Sequence, residues 1–443
     1  MELQNFKKYE SLTLDLHPQF TLLVGDNGSG KTSILDALAV SLGVWFEVKF
    51  EELPDSNLRN SRRTIEDHLD TEGWTEVRLR GIRRGDRLQF ERILPSSVTA
   101  KGCLIDSNGC SRETTWTRQI RQGARRATLD AEEALKIISR VYGKRQTDVE
   151  GDRGRLPVLA YYGSGRAWLP SNKRRTTNKK GKGPSMRWSA FYDCFNGRIR
   201  FDDLRDWFAR ESTVTGGRPG FEAVKKAILK SVPDADSVAF DPDINHIVLS
   251  INETPQPFHN LSAGQRMMLA MVADIAIKAV TQNAFLLPPD RLGAEDEPLP
   301  RVLRETPGVV LIDELDAHLH PKWQRRVASD LKKTFPAIQF ICTSHSPQVI
   351  GELKPEEIRN LEGNDAITPS RSFGIDSSRI LEELMGAKSR TQEVQAVLDE
   401  LARKIHDEDF SAAREDLQRL ESSVGEDDPE VTRARTLMAF LEE

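Results

Sequence analysis

The stretch FTLLVGDNGSGKTSILDAL, residues 20–38, decides the fold. It opens on a near-continuous apolar run, Phe20 to Val24, which suits a strand buried on both faces. A glycine-rich loop follows, and then apolar residues at helical spacing. Gly25 to Thr32 satisfies G-x-x-x-x-G-K-S/T in the position that pattern requires, after a strand and before a helix. Gly25, Gly28 and Gly30 let successive backbone N–H groups turn toward phosphate oxygens, and the helix N-terminus adds a favourable dipole. Lys31 then reaches the outer phosphates and Thr32 offers a hydroxyl to Mg²⁺. Asn27, Ser29 and Ser33 complete the candidate phosphate site. A glycine-rich turn holding a lysine by accident is the bland alternative, and the strand–loop–helix context argues against it.

Further along, GVVLIDELDAHLHP, residues 308–321, sets Asp313 at the C-terminal edge of another apolar strand. Phosphate-bound Mg²⁺ sits at that edge in folds of this class, held usually through water. Glu314, one residue on, is placed to polarise an attacking water. In ICTSHSPQVI, His345 also follows an apolar strand, where an imidazole can bond the transferred phosphate or hold Glu314 and water in place. Before both lies LSAGQRMMLA, residues 261–270. Alone it is an N-capped apolar helix, with Ser262 at the cap leaving N–H donors at a helix start.

The charge balance argues against a wholesale nucleic-acid coat protein, though local basic patches remain open. The net charge is -5, whereas a phosphate-neutralising coat carries a positive excess. Cys103, Cys110, Cys194 and Cys342 form no C-x-x-C, so reduced thiols are expected rather than a zinc site or disulfides. No run approaches the roughly 18–20 apolar residues of a membrane span, and a cytoplasmic location with no membrane partner is expected.

At 443 residues, two lobes with insertions are expected. ELQNF and SLTLDL alternate as short strands, residues 76–94 pattern as a hairpin around RRGD, and SVAFDPDINHIVLSIN from Ser237 suggests another. Residues 115–150 are expected to be helical. The fold class is α/β: a mixed sheet with a P-loop core, an antiparallel β subdomain, a helical insertion and a C-terminal helical tail. The expected division is 1–115 as the first ATPase lobe, 116–236 as a mostly helical insertion, 237–370 as the second lobe, and 371–443 as an acidic tail with GEDDPE turning between two helices.

Taken together these motifs resemble the ATP-binding cassette superfamily. Its Walker A loop resembles Gly25–Thr32, its signature LSAGQ at 261–265, its Walker B VVLIDE with Asp313 and Glu314, its D-loop LDAHL with Asp316, and its switch histidine His345, all in the family's order. The resemblance implies an ATPase, slow in turnover, using Mg²⁺ held by Thr32 and Asp313, with Glu314 and His345 catalytic. It implies a head-to-tail dimer, or a higher oligomer, in which Ser262, Gly264 and Gln265 of one chain and its Asp316 complete the ATP site of the other. The glutamine-bearing loop has no counterpart here. YYGSGRAW, with Ser164 or Arg166 facing the nucleotide, is the positional candidate. Long heptad arms are absent, because the insert is broken by Pro and Gly.

Within the superfamily, the opening residues with IDELDAHLHPKWQRRV and TSHSPQVI look like the RecF- and OLD-like group. VLAYYGSGRAW and the ending SSRILEELMG look like PtuA-type ATPase subunits of Septu and related retron anti-phage systems. That likeness implies a separate HNH nuclease partner controlled by nucleotide state, since the stretch after His345 is too short for the TOPRIM domain of relatives with a built-in nuclease. The acidic tail is either a docking surface or a pair of solvated capping helices. The alternative is a RecF-like repair ATPase that binds DNA itself, and a third reading is a module holding ATP without turnover, against which Glu314 argues. DNA contact would fall on the basic loop 173–187, within an acid-free run from Ser171, or on the cluster Arg118, Arg121, Arg125 and Arg126 as one helical face.

Overall fold

The computed structural model describes residues 1–47, 77–84, 87–105, 111–124, 127–142, 154–167, 187–191, 194–213, 218–287 and 299–442. They fall into two units, Met1–Ile375 and Asp376–Glu443.

The first unit is organised by a six-stranded sheet. Its order is Asp365–Ile367, Ile358–Glu362, Phe20–Val24, Ile338–Thr343, Gly308–Ile312 and Val158–Tyr162. All pairings are parallel except the outermost, between Ile358–Glu362 and Asp365–Ile367. All five residues of Phe20–Val24 are buried, as a parallel strand covered on both faces requires. Register sets the chemistry: Ile312 lies opposite Cys342 and Thr343 opposite Leu23. The loop after Val24, the Asp313–Glu314 pair and the segment after Thr343 therefore emerge at one edge, where α/β sheets bind ligands.

The helix Lys31–Leu42 packs between this sheet and a five-stranded antiparallel sheet. That second sheet runs Tyr9–Thr13, Glu2–Phe6, Ser96–Ile105, Ser111–Ile120, Thr128–Asp130. The two strands expected at the N-terminus are both in it. Leu79–Arg84 with Arg87–Arg92, and Ala235–Asp241 with His246–Ile251, form the two expected hairpins, the latter extended by Thr254–Pro257.

The expected helicity of residues 115–150 is corrected at its start. Residues up to 120 belong to the strand Ser111–Ile120, and the helix begins at Glu132 and runs to Tyr142. The strand escapes a hydrophobic-alternation reading because its buried residues are Thr114, Trp116 and Arg118, of which only one is apolar. Trp116 donates from Nε1 to the Ser41 carbonyl at 2.9 Å, stapling the strand to the phosphate-loop helix. The second basic cluster is likewise corrected. Arg118 is buried in that strand and donates to Glu47 Oε1 at 3.1 Å, while Arg121 is exposed in the segment beyond it, so no helical face presents them together. Arg125, Arg126 and the basic loop up to residue 186 lie outside the described residues.

The second unit holds the helices Ser377–Glu383, Gln392–His406, Phe410–Val424 and Pro429–Leu441. The last three close on a small core that includes Leu401, Ile405, Leu417, Leu420, Val431 and Met438. GEDDPE bridges the last two helices, as expected: Gly425 takes φ 98°, and Asp428 caps the next helix by accepting from the Glu430 N–H at 2.9 Å.

Among the described residues no helix is long and apolar enough to cross a membrane. Cys103, Cys194 and Cys342 are free thiols, and among the described residues no cluster of three His, Cys, Asp or Glu residues could hold a metal. Cys110 is outside the described residues.

Candidate functional site

The phosphate loop is built by glycine conformation. Gly25, Gly28 and Gly30 take φ of 143°, 78° and 97°, in or near the region that side-chain-bearing residues avoid. At Gly30 a Cβ would also lie 2.6 Å from Tyr9 Oη. Tyr9 explains that closeness: its hydroxyl donates to the Ser29 carbonyl at 2.8 Å, and Lys8 Nζ donates to the Gly28 carbonyl at 3.1 Å. Sequence reasoning did not nominate these two residues. The N-terminal hairpin therefore shapes the loop, and Lys8 also lines the cleft in front of it.

Lys31 is 8% exposed, and its ammonium donates to the carbonyls of Gly25 at 2.7 Å and Asp26 at 2.9 Å. Burial lowers its pKa from the ordinary lysine value, opposed by the nearby Asp313 and Asp26 carboxylates. An ammonium held inside the loop, short of solvent, is placed to meet phosphate oxygens.

Opposite it, Thr32 Oγ1 donates to Asp313 Oδ2 at 3.1 Å. A hydroxyl and a carboxylate in contact at the head of a phosphate loop are hard oxygen donors, a pair that would hold Mg²⁺. Asp313 Oδ1 in turn accepts from Thr343 Oγ1 at 2.7 Å, and the same hydroxyl accepts the Glu314 N–H at 2.7 Å. Thr343 is a third residue that sequence reasoning missed. Its signal was only a threonine ending an apolar strand, which is common; sheet order makes it matter, because that strand lies between the Phe20–Val24 and Gly308–Ile312 strands.

These groups surround one cleft of about 330 Å³. Lys8 and the loop residues Asn27, Gly28, Gly30, Lys31, Thr32 and Ser33 line it together with Asp313, Glu314, Thr343 and His345. Glu314 is exposed toward it with φ 51°, a strained left-handed turn for a residue bearing a Cβ. Gly25 and Ser29 are at the base of the loop and contribute the carbonyls already described.

The signature residues are not among the cleft's walls. Ser262 caps the helix Ala263–Gln282: its Oγ accepts the Gln265 N–H at 3.3 Å, and Gln265 Oε1 accepts the Ser262 N–H at 2.8 Å. This reciprocal cap occupies two of the helix-start donors that the sequence left free, the N–H groups of Ser262 and Gln265. Ser262 is exposed, whereas Gly264 is buried. A Cβ on Gly264 would stand 2.4 Å from the His318 carbonyl oxygen, so glycine is what lets the signature pack on the LDAHL loop of its own chain. Asp316 in that loop accepts from Ser344 Oγ at 2.5 Å and does not line the cleft.

Neither Ser164 nor Arg166 of YYGSGRAW faces the nucleotide cleft. Ser164 is exposed and Arg166 is 1% exposed, and neither lines the cleft. The Arg166 donors instead go to backbone carbonyls behind Asp313 and Glu314.

Comparison with known proteins agrees with this geometry. A family model described as an AAA domain matches residues 1–226, and one described as "AAA domain, putative AbiEii toxin, Type IV TA system" matches residues 199–351. The protein named "Retron Ec83 probable ATPase" of Escherichia coli is 34% identical, over 96% of this chain and 83% of its own length. "Retron Vc95 probable ATPase" of Vibrio cholerae serotype O1 biovar El Tor is 24% identical, over 86% of this chain and 77% of its own. "Septu protein PtuA" of Bacillus mycoides is 24% identical, over 82% of this chain but 40% of its own length.

Proposed function

The chain belongs to the AAA-domain ATPase family that includes the retron Ec83 probable ATPase, and on that premise we propose that it is the nucleotide-controlled switch of an anti-phage defence system, governing a separate HNH-type nuclease subunit. It hydrolyses ATP, as its family does. The reading without turnover is thereby set aside.

The observation that carries the proposal is the division of the motifs. Walker A, Asp313, Glu314 and His345 enclose one cleft, while Ser262 stands exposed at a helix start outside it. A site lined by these groups with its signature displaced is completed by a second copy, each chain lending its Ser262 and Gly264 to the other's ATP. The remaining first-turn N–H groups and the helix dipole suit the γ-phosphate.

In the closed site Lys31 and the loop N–H groups hold the phosphates, and Glu314 takes the proton of the attacking water. Asp313 and Thr32 would hold Mg²⁺, which neutralises charge developing on the phosphates. His345, which lines the cleft with Glu314, bonds the transferred phosphate or the water. ATP binding closes the dimer, and hydrolysis opens it, changing the surface offered to the nuclease.

The test pairs Glu314→Gln with co-purification. The variant should bind ATP, turn over at least about a hundredfold more slowly and accumulate as closed dimer by light scattering, and the native chain should bring down an HNH protein encoded beside it. Native turnover in the variant removes the base assignment. Recovery of DNA instead of a nuclease favours the repair reading.

A further inference from the structure

Arg166 heads the large side chains that are fully buried. A guanidinium does not lose its proton in a protein, so every donor must find a partner. Burial lowers its pKa from the ordinary arginine value, with the field of Asp313 the largest opposing influence. Its partners are specific. Nη1 donates to the carbonyls of Asp313 and, at 3.1 Å, of Gly163; Nη2 donates to the Glu314 carbonyl at 2.8 Å; Nε meets Met267 Sδ at 3.1 Å. Three of those contacts are to oxygens, and two of the three are the main chain of the residues whose carboxylates face the cleft.

Met267 lies on the first turns of the helix that Ser262 caps. A second connection runs beside the first. The Tyr162 carbonyl accepts the Asp313 N–H at 2.8 Å, and the Tyr162 hydroxyl donates to Asp274 Oδ2, on that same helix, at 2.6 Å. The five residues from Tyr162 to Arg166 therefore touch the carboxylate turn with one set of atoms and the signature helix with another.

We infer that Arg166 is a positioning residue for ATP hydrolysis: it fixes the main chain of Asp313 and Glu314, and through Met267 it ties their placement to the helix that begins at the signature. Glu314 occupies a left-handed turn, which costs free energy unless neighbours hold it. Arg166 at its carbonyl and Thr343 at its N–H supply that hold from two sides. A rotation of the signature helix on meeting a partner's nucleotide moves Met267, and Arg166 transmits the movement to the base.

The inference rests on Glu314 being the base, and the experiment separates the two. Arg166→Lys keeps the charge, but a single ammonium cannot span both carbonyls. In the full-length chain, turnover is measured per bound nucleotide, so that misfolded material does not count. The expected result is a KM and nucleotide affinity within about threefold of native, with kcat at least about tenfold lower. Met267→Leu removes only the sulfur at nearly constant volume; it should lower kcat about threefold with KM unchanged, and it carries the test should Arg166→Lys not fold. Native kcat per bound nucleotide in either folded variant overturns the role of Arg166. If Glu314→Gln also turns over normally the base assignment has failed; if Glu314→Gln is dead, the loss is confined to Arg166.

Discussion

Thr343 Oγ1 donates to Asp313 Oδ1 at 2.7 Å and accepts the Glu314 N–H at the same distance, so one hydroxyl holds both acidic residues of the cleft. Thr343→Val keeps the shape and removes both bonds. Leaving a buried donor without a partner costs about 1–3 kcal/mol, and kcat should fall roughly tenfold as Glu314 loosens. Thr343→Ser should restore both. Thermal melts and steady-state turnover on the three proteins decide it, and a native-like valine variant would remove Thr343 from the site.

Lys31→Ala deletes an ammonium held within the phosphate loop. Charge-assisted bonds contribute about 1.5–3 kcal/mol, so ATP affinity should weaken at least about tenfold. Titration with a fluorescent ATP analogue measures this. Unchanged affinity would show that the loop binds phosphate without the lysine.

Gly264→Ala places a methyl 2.4 Å from the His318 carbonyl oxygen, a backbone atom that cannot swing aside. Overpacking of this kind costs about 1–3 kcal/mol, lowering the melting temperature by several degrees. Since Gly264 is outside the cleft, ATP binding to the single chain should persist while ATP-dependent self-association is lost. Analytical ultracentrifugation with Glu314→Gln as the background reads the second effect, and an undiminished dimer would refute the placement of Gly264 at the joint.

Alkaline pH should loosen the phosphate loop through Tyr9. Burial pushes its phenol up to about 12 from 10, so the folded state favours the neutral hydroxyl. The stabilisation is fully present below pH 10 and is lost as pH rises from 10 toward 12, on the order of 2 kcal/mol in all. Tyr9→Phe removes the titration together with the bond to the Ser29 carbonyl. Its melting temperature should be lower than native at pH 8, with the gap narrowing by pH 11; a constant gap would mean that Tyr9 does not titrate in this range.

The amino-acid order by itself determined the chemistry of the protein. GDNGSGKT, LIDE and TSHS are local patterns whose meaning depends on strand-then-loop geometry, and apolar runs next to glycine or acid announce that geometry within a dozen residues. Periodicity also placed both N-terminal strands, two hairpins and the helices beyond residue 391.

The tertiary structure decided what depends on partners distant in the chain. Ser111–Ile120 pairs with Ser96–Ile105, with Trp116 bonded to the Ser41 carbonyl and Arg118 to Glu47, and polar inward residues leave no hydrophobic signature. Thr343 matters because sheet order inserts its strand between two others. Arg166, which the sequence offered to the nucleotide, is turned inward, where the carbonyls of Asp313 and Glu314, nearly 150 residues away, satisfy a buried guanidinium. Local motifs nominate the groups of the candidate site, whereas their orientation is set by hydrogen bonds that only folding brings within reach.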